Sequence, residues 1–189
     1  MSDIAQIDGR RQRADVNRRR IAQAMIELVR AGEVAPSADE VAEHAGVGRR
    51  TVFRLFNDMD GVYREMHAVM VERLQPIFAA PFASRTWRER VDELIERRAK
   101  VFEDMLPVKT AAEAHRHRSA FLQKGHRTLT RLQREMLQSV LPANIAGERL
   151  EALDLTLSFE AWRRLRQEQR LPAKQALAVW RHMTRALLA

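Results

Sequence analysis

Apolar residues recur three and four positions apart along nearly the whole of this chain, and no stretch alternates with the period of two that a half-buried strand shows. That periodicity confines the fold to packed helices. Prolines at 36, 76, 81, 107, 142 and 172 punctuate the pattern, because proline removes a backbone donor and crowds the preceding turn. Glycines cluster early, with four of the seven at 32, 46, 48 and 61, which implies short helices and tight turns there and longer helices afterwards. The expected fold is all-α with about nine helices. An N-terminal domain over 1–65 is followed by a larger helical domain over 66–189.

Composition narrows the chemistry. The 189 residues include no cysteine, which excludes a disulfide scaffold, a thiolate metal site and a cysteine nucleophile. The longest apolar run, Ile77 to Ala83, contains Pro81 and is far shorter than the ~20 residues a membrane span needs. No secretory pattern opens the chain, so a cytoplasmic protein without a membrane partner is expected. Phosphate-binding glycine loops, metalloprotease helices and nucleophile elbows are absent, so the chain reads as a non-enzyme without a cofactor. The net charge of +8 suggests a polyanionic partner, but its placement matters more than its total. Residues 1–60 hold ten arginines and ten acidic residues; the whole surplus lies in 61–189.

Local signals predict a first helix capped by Asp15 and ended by Gly32, with Ile21, Met25, Leu28 and Val29 buried. Ser37-Ala38-Asp39-Glu40 has the form of a capping box and opens a second helix, with Val41, Ala42 and Ala45 inward. After Gly46-Val47-Gly48 a third helix spans about Arg49–Phe56, with Val52 and Phe56 inward. A fourth runs from about Asp58 towards Gln75. Thr86 and Glu89 form a second capping box, and that helix is expected to stop near Met105. Pro107 should restart the chain into 110–123. Gly125 should separate that piece from a helix over 128–141. A long helix over about 147–169 and a last one over about 173–188 complete the pattern.

Two short helices joined by a glycine-containing turn make a helix-turn-helix, whose second helix projects its first turn into a DNA major groove. Here that turn is Gly48-Arg49-Arg50-Thr51. Arginine offers a planar fork of donors to guanine or phosphate, and threonine can meet a base edge or a thymine methyl. Upstream, Arg10, Arg11, Arg13, Arg18, Arg19 and Arg20 face only Asp15 in charge. Such an arm can track phosphates, or it can simply be a solvated helix face.

The stretch SADEVAEHAGVGRRTVFRLFNDMDGVYREM, Ser37 to Met66, preceded by the helix containing IAQAMIELVRAGE, resembles the DNA-binding domain of the TetR family of bacterial transcriptional regulators. The likeness covers about a third of the chain. It implies a homodimeric, ligand-responsive repressor that binds a double-stranded DNA operator and releases it when an unknown small-molecule effector binds. The implied DNA-binding residues are Ser37, Gly48, Arg49, Arg50, Thr51, Phe53 and Arg54, with Arg18 and Arg19 from the arm. Phe53 stands where the family usually has a tyrosine, Leu55 where a histidine or polar residue is common, and Met59 where a lysine often meets a phosphate. Arg49, Arg50 and Arg54 are the cations available to replace those contacts.

In the larger domain, Phe102, Met105, His117, Phe121 and Phe159 are candidates to line an effector pocket. His115 and His117 lie two apart on a helix and point to different sides, so a metal site is not expected. The 148–169 helix carries apolar residues on two sides, and the last helix adds another apolar face. Leu153, Leu157, Trp162, Leu165, Trp180 and Met183 are therefore candidates for a two-fold dimer interface. The alternative function is a helical small-molecule-binding or scaffold protein that keeps this fold without specific DNA readout.

Overall fold

The computed structural model describes the backbone of residues 2–33, 35–56 and 58–189, with side chains from Gln12 onward except those of Val34, Asn57 and Met59. The expectations for Arg10, Arg11 and Met59 therefore lie outside the described side chains. Among the described residues the fold is all-α, with nine α-helices, one π-helical segment and no strand. The helices are α1 (Ser2–Arg30), α2 (Ala38–His44), α3 (Arg49–Leu55), α4 (Met59–Ala79), α5 (Trp87–Arg116), α6 (Ala120–Val140), α7 (Glu148–Thr156), α8 (Phe159–Arg163) and α9 (Ala173–Leu188), with the π segment over Arg164–Glu168. The chain divides into two compact units. Unit 1 comprises Met1–Leu74 and Pro107–Gln123; unit 2 comprises Gln75–Leu106 and Lys124–Ala189. The sequence reading had put one boundary at 65/66.

In unit 1, α1, α2 and α3 pack on one another around Ile21, Met25, Ile26, Val41, Val52 and Phe56, all buried. Both ends of α2 follow from its sequence. Ser37 caps it: the Glu40 amide donates to the Ser37 hydroxyl at 3.2 Å, and the Glu40 carboxylate accepts the Ser37 amide at 2.8 Å. At the other end Gly46 has φ +62, and the amides of Gly46 and Val47 close back on the carbonyls of Glu43 and Ala42. This left-handed closure suits glycine because it lacks a Cβ.

Unit 2 is built around Leu94, Ile95, Phe102, Leu137, Leu153, Trp162 and Trp180, all buried. Phe102 meets Phe159 and Trp180 edge-on at 5.5 and 5.9 Å, and the Trp162 and Trp180 rings lie 4.6 Å apart. Arg98 is fully buried here and donates to the carbonyls of Leu157, at 2.9 Å, and Gln133. Glu103 accepts the Trp162 indole N–H at 2.8 Å and the Nε and Nη2 N–H groups of the Arg166 guanidinium.

Four expectations about helix ends need correction. The first helix begins at Ser2 rather than after Asp15. Pro107 lies inside α5 and Gly125 inside α6, so neither divides its helix. The loss of one amide donor at Pro107 is offset by buried anchors on either side: Val101 and Phe102 before it, Ala111 after it. The long helix expected over 147–169 is instead broken at Leu157. Ser158 caps a new helix with its hydroxyl on the Ala161 amide at 3.1 Å. The Leu157 carbonyl goes to Arg98 instead. The chain changes unit at 74/75, 106/107 and 123/124, each time inside a helix and beside Pro76, Pro107 or Gly125. The breakers fall where a helix passes from one unit to the other, not where it ends.

Candidate nucleic-acid interface

Helix α3 has seven residues, and its sequence sorts them cleanly. Val52 and Phe56 are buried against α1 and α2, while Thr51 and Leu55 are half-buried. Arg49, Arg50, Phe53 and Arg54 all face solvent. Phe53 is 53% exposed, which is unusual for so large an apolar side chain. Three cations and one aromatic ring thus occupy the outer face of a helix held rigidly from behind.

The three cations are not equivalent. Arg49 Nε lies 3.1 Å from Asp39 Oδ1 on α2, and its guanidinium sits 5.5 Å from the centre of the Phe53 ring. Arg50 and Arg54 carry no ion pair among the described residues. Gly48, just before α3, has an ordinary extended backbone and open space where a Cβ would stand. The fold does not require glycine at that position, and its absent side chain lets an outside partner approach the backbone.

The remaining candidates for DNA contact have internal partners. The Ser37 hydroxyl is engaged with Glu40, at 2.7 Å from a carboxylate oxygen. These hydrogen bonds hold the Glu40 carboxyl below its ordinary range. Arg18 pairs with Asp15 at 3.1 Å, and Arg19 with Glu72 of α4 at 3.3 Å. Arg20, which sequence reasoning had placed in a phosphate-tracking arm, donates to the Ala45 carbonyl at 3.0 Å. It therefore clamps α1 onto the turn. A Cβ added at Gly46 would meet that guanidinium at 3.3 Å. His44 and Glu27 make a second link between α1 and α2, at 2.9 Å. The Gln23 amide, then His44, hold the Glu27 carboxyl below its ordinary range. No sequence signal pointed to these clamps, because each joins residues 17 or 25 positions apart.

The effector candidates are not brought together in one unit. Phe102, Met105 and Phe159 belong to unit 2, where Phe102 and Phe159 are packed ring to ring. His117 and Phe121 belong to unit 1. There Phe121 lies edge-on to His67 at 5.6 Å, with the Arg64 guanidinium 5.5 Å from its ring centre, and His117 is exposed. An open groove of about 450 Å³ lies in unit 1, lined by Arg19, Arg20, Gln23, Glu27, His44 and Glu72 among others; it contains none of the five. No group of three or more His, Asp or Glu among the described residues is placed to hold a metal ion.

Of the six dimer candidates, Leu153, Leu157, Trp162, Leu165 and Trp180 are buried in the core of unit 2, and Met183 is exposed. Once that helix breaks at Leu157, its two apolar sides are largely consumed internally, with Leu155 left in solvent. The α9 residues that face the core are Ala176, Trp180, Thr184 and Leu188, not the set that includes Met183. Leu155 of α7, on one of the apolar sides of the expected long helix, is 71% exposed. No helix among the described residues is long and apolar enough to cross a membrane.

A scan of the chain against protein-family models finds no match, and a search of curated proteins finds none either.

Proposed function

We propose that this protein is a sequence-specific double-stranded-DNA-binding transcriptional regulator of TetR type, acting as a homodimer. The observation that carries the reading is the outer face of α3. A capped, glycine-closed two-helix unit presents Arg49, Arg50, Phe53 and Arg54 to solvent on a helix whose other side is locked by Val52 and Phe56. A short helix of this kind fits a major groove, with arginines to bond guanine or phosphate and an apolar ring to meet a thymine methyl. Arg50 and Arg54, without an ion pair among the described residues, are assigned to DNA. Ser37 is reassigned to capping α2 and Arg19 to bridging α1 and α4, while Arg18 pairs within α1 itself.

Dimerisation fits this reading because one such head binds weakly, and two half-sites a helical turn apart are the usual remedy. The exposed Leu155 and Met183 lie on α7 and α9, which pack on each other, and they are the apolar residues assigned to the partner surface. Sedimentation equilibrium of wild type and Leu155→Glu tests this assignment: a monomer in both refutes it. A repressor's response to a small-molecule effector enters through the resemblance alone.

The deciding experiment is a mobility shift with duplex fragments flanking the protein's own gene, competed with unrelated duplex. Retention of one fragment at moderate salt, lost in Arg50→Ala, is expected. Equal weak retention of every duplex would leave a helical binding or scaffold protein that keeps the fold without readout. The charge balance of zero in residues 1–60 suits that second reading.

A further inference from the structure

Arg49 is held on two sides. The Asp39 carboxylate sits at its Nε edge, at 3.1 Å, and the Phe53 ring lies 5.5 Å from the guanidinium. A guanidinium has five N–H donors, and a partner on the Nε edge leaves the two terminal nitrogens as a free planar fork. All three side chains are largely exposed: Arg49 at 66%, Asp39 at 62%, Phe53 at 53% for the whole residue. The arrangement therefore faces outward from α3 instead of serving the core. The geometry points to Asp39 as a positioning residue that turns Arg49 from a phosphate contact into a guanine reader. This rests on the DNA-binding reading above and adds a division of labour within it.

Electrostatics decides between the two roles. A phosphate is an anion, and bringing one to Arg49 also brings it towards the Asp39 carboxylate, so attraction is largely cancelled by repulsion. The O6 and N7 edge of guanine is a pair of neutral acceptors. It needs the fork's geometry more than its net charge. Asp39 thus weakens what is not sequence-specific and leaves intact what is. Phe53 adds to the restraint by limiting the rotamers open to Arg49, so less side-chain entropy is lost when the fork meets a base. Among the described residues Arg50 and Arg54 have no such neighbour, and they remain suited to phosphates.

The test uses the full-length protein and Asp39→Asn, which keeps the size of the side chain and removes its charge. Wild type first selects duplexes from a random-sequence pool. Anisotropy titrations then compare one selected duplex with a scrambled one over a series of salt concentrations. Asp39→Asn is expected to bind the scrambled duplex more tightly and the selected duplex more weakly, so the ratio of affinities falls by about tenfold. Its salt slope should steepen by about one unit, because Arg49 now engages a phosphate. Replacing the critical guanine with 7-deazaguanine should weaken wild type by about tenfold and leave Arg49→Ala indifferent. Arg49→Lys, which keeps the charge but not the fork, should lose the guanine preference and keep scrambled-duplex binding.

A merely structural role for Asp39 would shift both affinities in the same direction, and an unchanged ratio in Asp39→Asn overturns the proposal while leaving DNA recognition standing. If wild type enriches no sequence from the pool, DNA recognition itself fails, and the proposal falls with it.

Discussion

Arginine does opposite work on α3 of unit 1 and around the core of unit 2. On α3 of unit 1, Arg50 and Arg54 stand in solvent with no ion pair among the described residues. In unit 2, Arg98 is fully buried and spends its donors on two backbone carbonyls. Its neighbours are also committed: Arg97 to Glu93 at 2.5 Å, Arg134 to Glu151 at 2.5 Å, Arg166 to Glu103 at 2.7 Å, and Arg181 to Glu96. The surplus charge of the chain lies in residues 61–189, whereas residues 1–60 are neutral overall. The comparison teaches that net charge and available charge are different quantities. The uncommitted cations of α3 sit in the segment with no net charge.

The largest expected effect breaks the buried side of this comparison. Burial pushes the Arg98 guanidinium down to about 10, a pull that nearby Asp154 opposes. Arg98→Ala removes a large side chain and strands the Leu157 carbonyl at the break between α7 and α8. It should destabilise the protein by about 3–5 kcal/mol, read as a lowered urea midpoint. Arg50→Ala should change stability by less than about 0.5 kcal/mol, as expected for an exposed position with no ion pair among the described residues. Similar losses for both variants would mean that Arg98 is not the structural member of the pair.

The same pair should reverse its order on DNA. Arg50→Ala and Arg54→Ala should each weaken operator binding by about tenfold, and each should lower the salt slope by about one if the lost contact is to a phosphate. A variant that changes stability and leaves the DNA affinity of the folded fraction intact is expected at unit 2 positions such as Glu103→Gln. Unchanged affinity in both α3 variants would move the interface elsewhere.

Unit 2 also has an acid-sensitive element. Glu93 is pushed down to about 2, chiefly by the Ser84 hydroxyl and then by the amides of Ser84 and Ala83 and by Arg97. Its folded-state value lies below the ordinary 4.5, so its contribution is present above about 4.5 and is lost as pH falls towards 2. Glu93→Gln should flatten this part of the acid unfolding profile and leave the neutral-pH profile parallel to wild type. An acid limb identical to wild type would show that the contacts of Glu93 do not persist in solution.

How much of this was legible in the sequence depended on range. Ser37 with Glu40, Thr86 with Glu89, and Gly46 are local devices within four residues, and each does what its spacing predicts. The inward residues Ile21, Met25, Val41, Val52 and Phe56 were likewise readable from period alone. Pro107 misled because a helix continues through a poor residue when both flanks are anchored by burial, and Gly125 because a single glycine costs a helix interior only about 1 kcal/mol. The break at Leu157 was hidden for the converse reason. Its freed carbonyl is satisfied by Arg98, 59 positions away, which no local pattern reveals. At the candidate interface the solvent-facing arginines were readable from helical position. The partners of Arg19, Arg20 and Arg49 lie on α4, in the turn after α2 and on α2, and were not.

The smallest expected effect compares the two capping boxes, one in each unit. Ser37 opens α2, seven residues long, and Thr86 opens α5, thirty residues long. Both boxes are reciprocal, and in both the capped carboxyl is held below its ordinary range: Glu40 by the Ser37 hydroxyl and amide, Glu89 by the Thr86 amide and hydroxyl. Removing either hydroxyl should cost about 1 kcal/mol in global stability, since each loses one cap hydrogen bond at an exposed helix start. The consequences should nonetheless differ in reach. In α2 the cap supports one of only two turns, so Ser37→Ala should raise amide exchange across the whole helix and slacken the platform beneath α3. In α5 the same loss frays a first turn, and the buried residues from Val91 onward hold the rest. Hydrogen exchange of Ser37→Ala and Thr86→Ala reads this directly. Equal, one-turn fraying in both would mean that α2 is held by its packing on α1 and α3, with the cap incidental.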